Sequence, residues 1–196
     1  MTTILETRQR QILEAAASCF VRRGFHQSTM QEICREAKLS PGSVYRYYRS
    51  KEEIIAVLVE DSCAEFLSLI QSVRNDTDTA QAFDHLTDAV LDKIRDPALC
   101  VLNIEANAEA IRNPRMTEIV KRRDTVNLEA LAEQIRHAQA SGLCDPTLDA
   151  LMSAEILVAL IKGLAIRKSL NPELDTMAHA PIIKTLIARF LQTRRS

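Results

Sequence analysis

Arg46 stands between Tyr45 and Tyr47, and the triplet lies midway between Pro41 and Lys51. An arginine carries a planar fork of donors that matches the O6 and N7 acceptors of guanine, and phenol hydroxyls reach phosphates along a groove wall. The segment opens Ser40-Pro41-Gly42-Ser43, a serine cap followed by a proline suited to the first helical position. Wound at about 100° per residue, Pro41, Val44 and Tyr48 fall in one sector and should face the protein. Ser43 and Arg46 lie opposite, with Tyr45 and Tyr47 on the flanks. Tyr45, Tyr47 and Tyr48 crowd so short a helix that they cannot all be buried. Tyr48 is expected in the core, and the other two outside. Lys51 is expected to hold its ammonium free for a phosphate, and helix N-termini at Thr29, Ser40 and Ser50 add their own attraction for anions.

Other chemistry finds little support. The cysteines (Cys19, Cys34, Cys63, Cys100, Cys144) are odd in number, widely spaced and form no C-x-x-C pair, and the histidines (His26, His85, His137, His179) do not cluster with them. Neither a zinc site nor a disulfide framework is expected, and no metal or cofactor. Most of these thiols should be small core residues, with Cys100 or Cys144 the candidates for a redox role. A Gly-rich phosphate loop, an H-E-x-x-H and a nucleophile-histidine-acid set with local support are all missing from the sequence, which disfavours an enzyme. No strictly apolar run exceeds the six residues of Ile156–Ile161, far too short to cross a bilayer, and no apolar leader opens the chain, so a cytoplasmic protein without a membrane partner is expected.

The elements that must position the triplet are helical. Only four glycines and six prolines punctuate 196 residues. Ile12, Ala15, Ala16, Cys19 and Phe20 form one stripe on a helix from about Leu5 to Arg23, with Gly24 as its C′ residue. Thr29-Met30-Gln31-Glu32 is a capping box that opens a short helix burying Met30, Ile33, Cys34 and Ala37. The triplet's helix should last about two turns, to Tyr48. Ser50-Lys51-Glu52-Glu53 reads as a second capping box opening a long helix to about Arg74, striped by Ile55, Leu58, Val59, Phe66, Leu69, Ile70 and Val73. Past the polar break 75–78, helices are predicted over 79–95, 98–112, 115–140 and 147–169, with a last one bearing Ile182, Ile183, Leu186, Ile187, Phe190 and Leu191. The fold class is all-α, about nine helices: a three-helix helix-turn-helix head and a helical bundle body.

Charge divides along the same line. Residues 1–50 hold eight basic and four acidic side chains, a net of +4, which leaves −5 for the remainder. A basic head suits a polyanion, because phosphate neutralisation dominates non-specific affinity for nucleic acid. Residues 1–50 are therefore expected to be a DNA-binding domain and 51–196 a second domain.

The run Thr29-Met30-Gln31-Glu32-Ile33, then Ala37-Lys38-Leu39-Ser40-Pro41-Gly42-Ser43-Val44-Tyr45-Arg46-Tyr47-Tyr48 and Lys51-Glu52, closely resembles the DNA-binding head of TetR-family regulators over about residues 8–58. Tyr48 departs from the phenylalanine usual there. The resemblance implies DNA-contact roles for Ser40, Gly42, Ser43, Tyr45, Arg46, Tyr47 and Lys51, with Thr29 as a phosphate-binding cap. In the body, Glu105–Pro114 and Ala159–Leu164 look similar to the BetI-like subgroup.

The body reads as the seat of a dimer. The penultimate helix is apolar nearly all round and needs cover on every side. Ile156, Leu157, Leu160, Ile161 and Leu164 there, with Ile183, Ile187 and Phe190 on the last helix, are expected to form a two-fold interface. By the resemblance, such a homodimer binds a palindromic double-stranded operator and is released by a small-molecule effector, acting by default as a repressor. Polar residues on mainly apolar helices, His85, Asn103, Glu105, Asn107 and Asn127, are the effector-binding candidates. A helical interaction module that has lost DNA binding is the competing reading, and the intact triplet stands against it.

Overall fold

The computed structural model describes residues 4–73 and 79–192. Among the described residues there are nine α-helices and no strand: α1 (Ile4–Arg23), α2 (Met30–Glu36), α3 (Pro41–Tyr45), α4 (Lys51–Val73), α5 (Thr79–Lys93), α6 (Pro97–Ala110), α7 (Pro114–Ala140), α8 (Ala150–Leu170) and α9 (Ala180–Leu191), with a 3₁₀ turn at Met177–His179. The predicted break at 75–78 and the helix end near Arg74 lie outside the described residues.

The chain forms two compact units. The first combines Met1–Ser62 with Val101–Arg123, and the second combines Cys63–Cys100 with Asp124–Ser196. The chain thus passes between them three times, each time within a helix (α4, α6 and α7).

The core of the first unit gathers Ile12, Ala16, Cys19 and Phe20 from α1, Ile33 and Cys34 from α2, and Val44 and Tyr48 from α3 and its tail. Ile54, Ile55 and Val59 of α4 join them, as do Ala106 and Ala110 of α6 and Met116 and Val120 of α7. Phe20 and Phe25 are fully buried with ring centroids 5.3 Å apart, so truncating either to alanine should cost about 3–5 kcal/mol. Met30, expected among the buried residues of α2, is only half covered.

The second unit closes on Ile70, Phe83, Leu86, Leu91, Leu131, Ile135, Leu157, Leu164, Ile183, Ile187 and Leu191. Its loops are tied by side chains: Gln139 donates to the carbonyls of Asp145 and Leu148 at 2.9 and 2.8 Å, and Thr176 Oγ1 to that of Leu91 at 3.1 Å. Lys184 of α9 pairs with Asp88 of α5 at 2.6 Å.

Two boundaries differ by three residues from those read in the sequence. α8 starts at Ala150, three residues beyond Thr147, because the Asp145 carboxylate is turned back onto Thr147 (N at 2.8 Å, Oγ1 at 2.7 Å). Asp149 then caps the helix by accepting from Met152 N at 2.8 Å. α3 stops at Tyr45 rather than Tyr48, although Tyr47 N and Tyr48 N still donate to the Val44 carbonyl.

The dimer stripe also needs correction. Leu157, Leu164, Ile183 and Ile187 are buried in the unit's own core. Residues at 153, 154, 157, 164 and 168 on α8, and at 180, 183, 187 and 191 on α9, point inward. The exposed apolar ridge lies one residue earlier, at Met152 and Ile156 on α8 and Ile182 and Leu186 on α9. Ile156, Pro181, Ile182, Thr185, Leu186, Arg189 and Phe190 line an open groove between these helices. Leu160, Ile161 and Phe190 are half covered.

Candidate nucleic-acid interface

The reading head is built on local hydrogen bonds. Thr29 Oγ1 accepts from Glu32 N at 3.3 Å while Glu32 Oε2 accepts from Thr29 N at 2.9 Å, the reciprocal box that starts α2. The Thr29 backbone N–H, above all, holds the Glu32 carboxyl below its ordinary pKa. The box therefore contributes above the unfolded carboxyl range and fades as pH falls through the lowered value. α2 ends with Leu39 N on the Cys34 carbonyl (3.0 Å) and Lys38 N on that of Arg35 (3.1 Å), a Schellman pattern with Lys38 at C′. Lys38 accordingly has φ +53°, a left-handed conformation that normally selects glycine.

α3 follows after four residues, 37–40. Ser40 Oγ accepts from Ser43 N at 3.2 Å and lies 2.9 Å from Ser43 Oγ, so both hydroxyls are engaged at the helix start. Gly42 is exposed, and a Cβ there would meet nothing within 4 Å, which leaves its backbone open to close approach. Val44 is fully buried and Tyr48 nearly so, and burial pushes the Tyr48 hydroxyl pKa up. Arg46 is exposed, Tyr45 is 48% exposed, and Tyr47 packs partly on the core. Pro41 is exposed rather than turned inward, since a five-residue helix is too short for uniform winding to place its first residue. Arg22 pairs with Glu36 at 3.0 Å and Arg23 with Glu32, whereas Arg46 has no ion-pair partner among the described residues.

Lys51 is not free. Its Nζ donates to the carbonyls of Phe25 (2.7 Å), His26 (3.1 Å) and Ser28 (3.1 Å) and sits 4.5 Å from the centre of the Phe25 ring. All three ammonium donors are thereby committed to the turn before α2. The second capping box is half formed: Ser50 Oγ accepts from Glu53 N at 3.3 Å, but the Glu53 carboxylate takes Arg49 N at 2.7 Å in place of Ser50 N.

The effector candidates divide between the two units. In the first unit, Asn103 and Asn107 accept from the buried Arg123 at 3.5 and 3.0 Å. Glu105 instead accepts from Phe25 N at 2.7 Å. In the second, Asn127 accepts from the Cys63 thiol at 3.2 Å, and His85 is exposed. Arg123 and the buried Glu109 escaped the sequence reading, although Glu105 and Glu109 stand one turn apart as the two charged residues of α6, a spacing that could have marked them. Cys100 and Cys144 are buried, and burial pushes the thiol pKa up in both, to about 11 for Cys144. Neither has the lowered pKa of a redox-active thiol. No helix among the described residues is long and apolar enough to cross a membrane, and none of their His, Cys, Asp and Glu side chains group as metal ligands.

The profile of bacterial regulatory proteins of the tetR family matches residues 12–58, and that of the BetI-type transcriptional repressor C-terminal region matches 61–193. The HTH-type transcriptional regulator UidR of Escherichia coli (strain K12) is 27% identical over 169 residues, 84% of this chain and 83% of that protein. The structure of Salmonella enterica GusR superposes with a TM-score of 0.83 at 26% identity, covering 97% of this chain and 98% of that one. That of FadR from Bacillus subtilis in complex with stearoyl-CoA superposes at 0.83 and 18% identity, covering 91% and 96%, a likeness of fold.

Proposed function

Because this chain belongs to the TetR family of bacterial transcriptional regulators, and not to a family of enzymes, we propose that it is an effector-responsive repressor that binds a palindromic operator as a homodimer. The observation that carries the reading is a capped α3 that holds Arg46 and Tyr45 outside the folded surface beside the open Gly42 backbone. Arg46 reads a guanine edge, while Ser40, Ser43, Tyr45, Tyr47 and the Thr29 cap meet phosphates. Residues 1–50 serve DNA binding, and 51–196 effector binding and dimerisation, in the cytoplasm.

The groove of α8 and α9 supports the homodimer, with Ile156, Ile182, Leu186 and Phe190 as its centre. A two-fold axis there presents two copies of α3 to half-sites about 34–36 Å apart or a near multiple. The complex of Bacillus subtilis FadR with stearoyl-CoA supports a small-molecule effector, and Asn103, Asn107, His85 and Asn127 stay candidates to meet it. An effector that binds the DNA-free arrangement more tightly lowers operator affinity by the same coupling free energy.

The test is selection of duplexes from a random pool, followed by binding across a salt series. A palindromic consensus whose affinity falls steeply with salt is expected. Absence of duplex binding at low ionic strength rejects the assignment.

A further inference from the structure

The turn between α1 and α2 is held from two directions by side chains distant in sequence. Gly24 enters it at φ +78°, and Ser28 Oγ lies 2.8 Å from the Gly24 carbonyl and 3.1 Å from that of Cys19. The remaining polar backbone groups of 25–28 belong to no helix and need partners of their own. Lys51, at the first position of α4, supplies a cation to the carbonyls of Phe25, His26 and Ser28. Glu105 of α6 supplies an anion to Phe25 N at 2.7 Å, and its Oε2 would lie only 3.3 Å from a Cβ added at Gly24. Phe25 thus has its carbonyl bound by a positive group and its amide by a negative one. One turn further along α6, Glu109 is buried, accepts from Asn113 Nδ2 at 2.8 Å, and lies 3.0 Å from His26 Nε2.

We propose that Glu105 and Lys51 are positioning residues for DNA recognition: they clamp the backbone of residues 25–28 and so fix the N-cap of α2 that follows. The inference rests on the function proposed above. Ser28, the last carbonyl gripped by Lys51, is bonded directly to Thr29, whose amide and hydroxyl close the capping box of α2. α2 in turn runs through the Lys38 turn into α3. A shift of the clamp therefore moves the cap, and the cap carries the reading helix. In this role Lys51 acts on the protein's own backbone in place of the phosphate contact expected of it, and Glu105 acts on the head in place of an effector.

Glu105→Gln keeps an acceptor for Phe25 N, whereas Glu105→Leu keeps only the volume. With the selected operator, Glu105→Leu should lose on the order of tenfold in affinity, the scale of one hydrogen bond to a charged group. Glu105→Gln should recover most of it, and the thermal midpoints of the two should stay close. Equal losses in both variants, or operator binding by Glu105→Leu at the wild-type level, overturn the clamp. Should Glu105→Leu fail to fold, ¹⁵N–¹H spectra of wild type and Glu105→Gln decide. The Phe25 amide should be shifted downfield and protected from exchange in the wild type and move upfield in Glu105→Gln. A freely exchanging Phe25 amide overturns the clamp. A wild-type protein that binds no duplex while its Phe25 amide is protected rejects the proposed function but leaves the clamp standing.

Discussion

A guanidinium held outside the surface, with no carboxylate among the described residues paired to it, keeps its donors for a partner. Arg46→Ala should cost roughly 1–3 kcal/mol on the preferred operator and relax the choice at one base position, read by comparing selected sites for the two proteins. Tyr45→Phe should instead weaken all sequences alike, since a phosphate contact carries no sequence information. The thiols give a second residue-scale expectation. Only a thiolate attacks an alkylating agent, and burial pushes the pKa of Cys19, Cys34, Cys100 and Cys144 upward. Iodoacetamide at about pH 8 should therefore label the half-buried Cys63 first and the other four only on unfolding, as followed by mass spectrometry. At this scale the sequence revealed that Val44 and Tyr48 turn inward while Tyr45 and Arg46 face out, because winding a helix from one buried valine sorts its neighbours, but it misplaced Pro41. It did not reveal the fate of Lys51, whose partners are carbonyls about 25 positions away, brought near only by folding.

Helix starts were legible where the capping hydroxyl and its donor amide are three residues apart, as at Thr29–Glu32 and Ser40–Ser43. They were misread where two acids compete. Asp145 and Asp149 both precede α8, and only the folded loop shows that Asp145 is spent on Thr147. The turn between α2 and α3 carries a measurable cost at this scale. Lys38 holds a left-handed conformation that an L side chain resists, so Lys38→Gly should stabilise the protein by up to about 1 kcal/mol, read as a higher urea midpoint at unchanged slope. A lower midpoint would show that the lysine side chain makes a stabilising contact that outweighs its backbone strain.

For the proposed homodimer, the inward and outward faces of α8 and α9 separate two effects of substitution. Ile182→Glu places a charge on the exposed ridge and should yield a monomer with little loss of thermal stability, seen by analytical ultracentrifugation. Ile183→Ala hollows the core and should cost about 2–5 kcal/mol. Persistence of the dimer in Ile182→Glu would move the interface elsewhere. The bundle class and its helix count were legible because amphipathic periodicity is local. The exact register of the outward ridge was not, since neighbouring isoleucines at 182 and 183 satisfy the same pattern. The interleaved make-up of the first unit bears on any attempt to transplant its specificity. Ala106, Ala110, Met116 and Val120 are as much a part of its interior as Phe20 or Ile54. A fragment ending at Ser62 would leave the opposing faces of α1 and α4 wet, and should give the circular dichroism of a largely unfolded peptide. Exchange of this chain's binding specificity by cutting once in α4 should therefore fail to give a folded head. Recoding α3 in place, or carrying 101–123 along with the donor head, is the route that the hydrophobic interior permits.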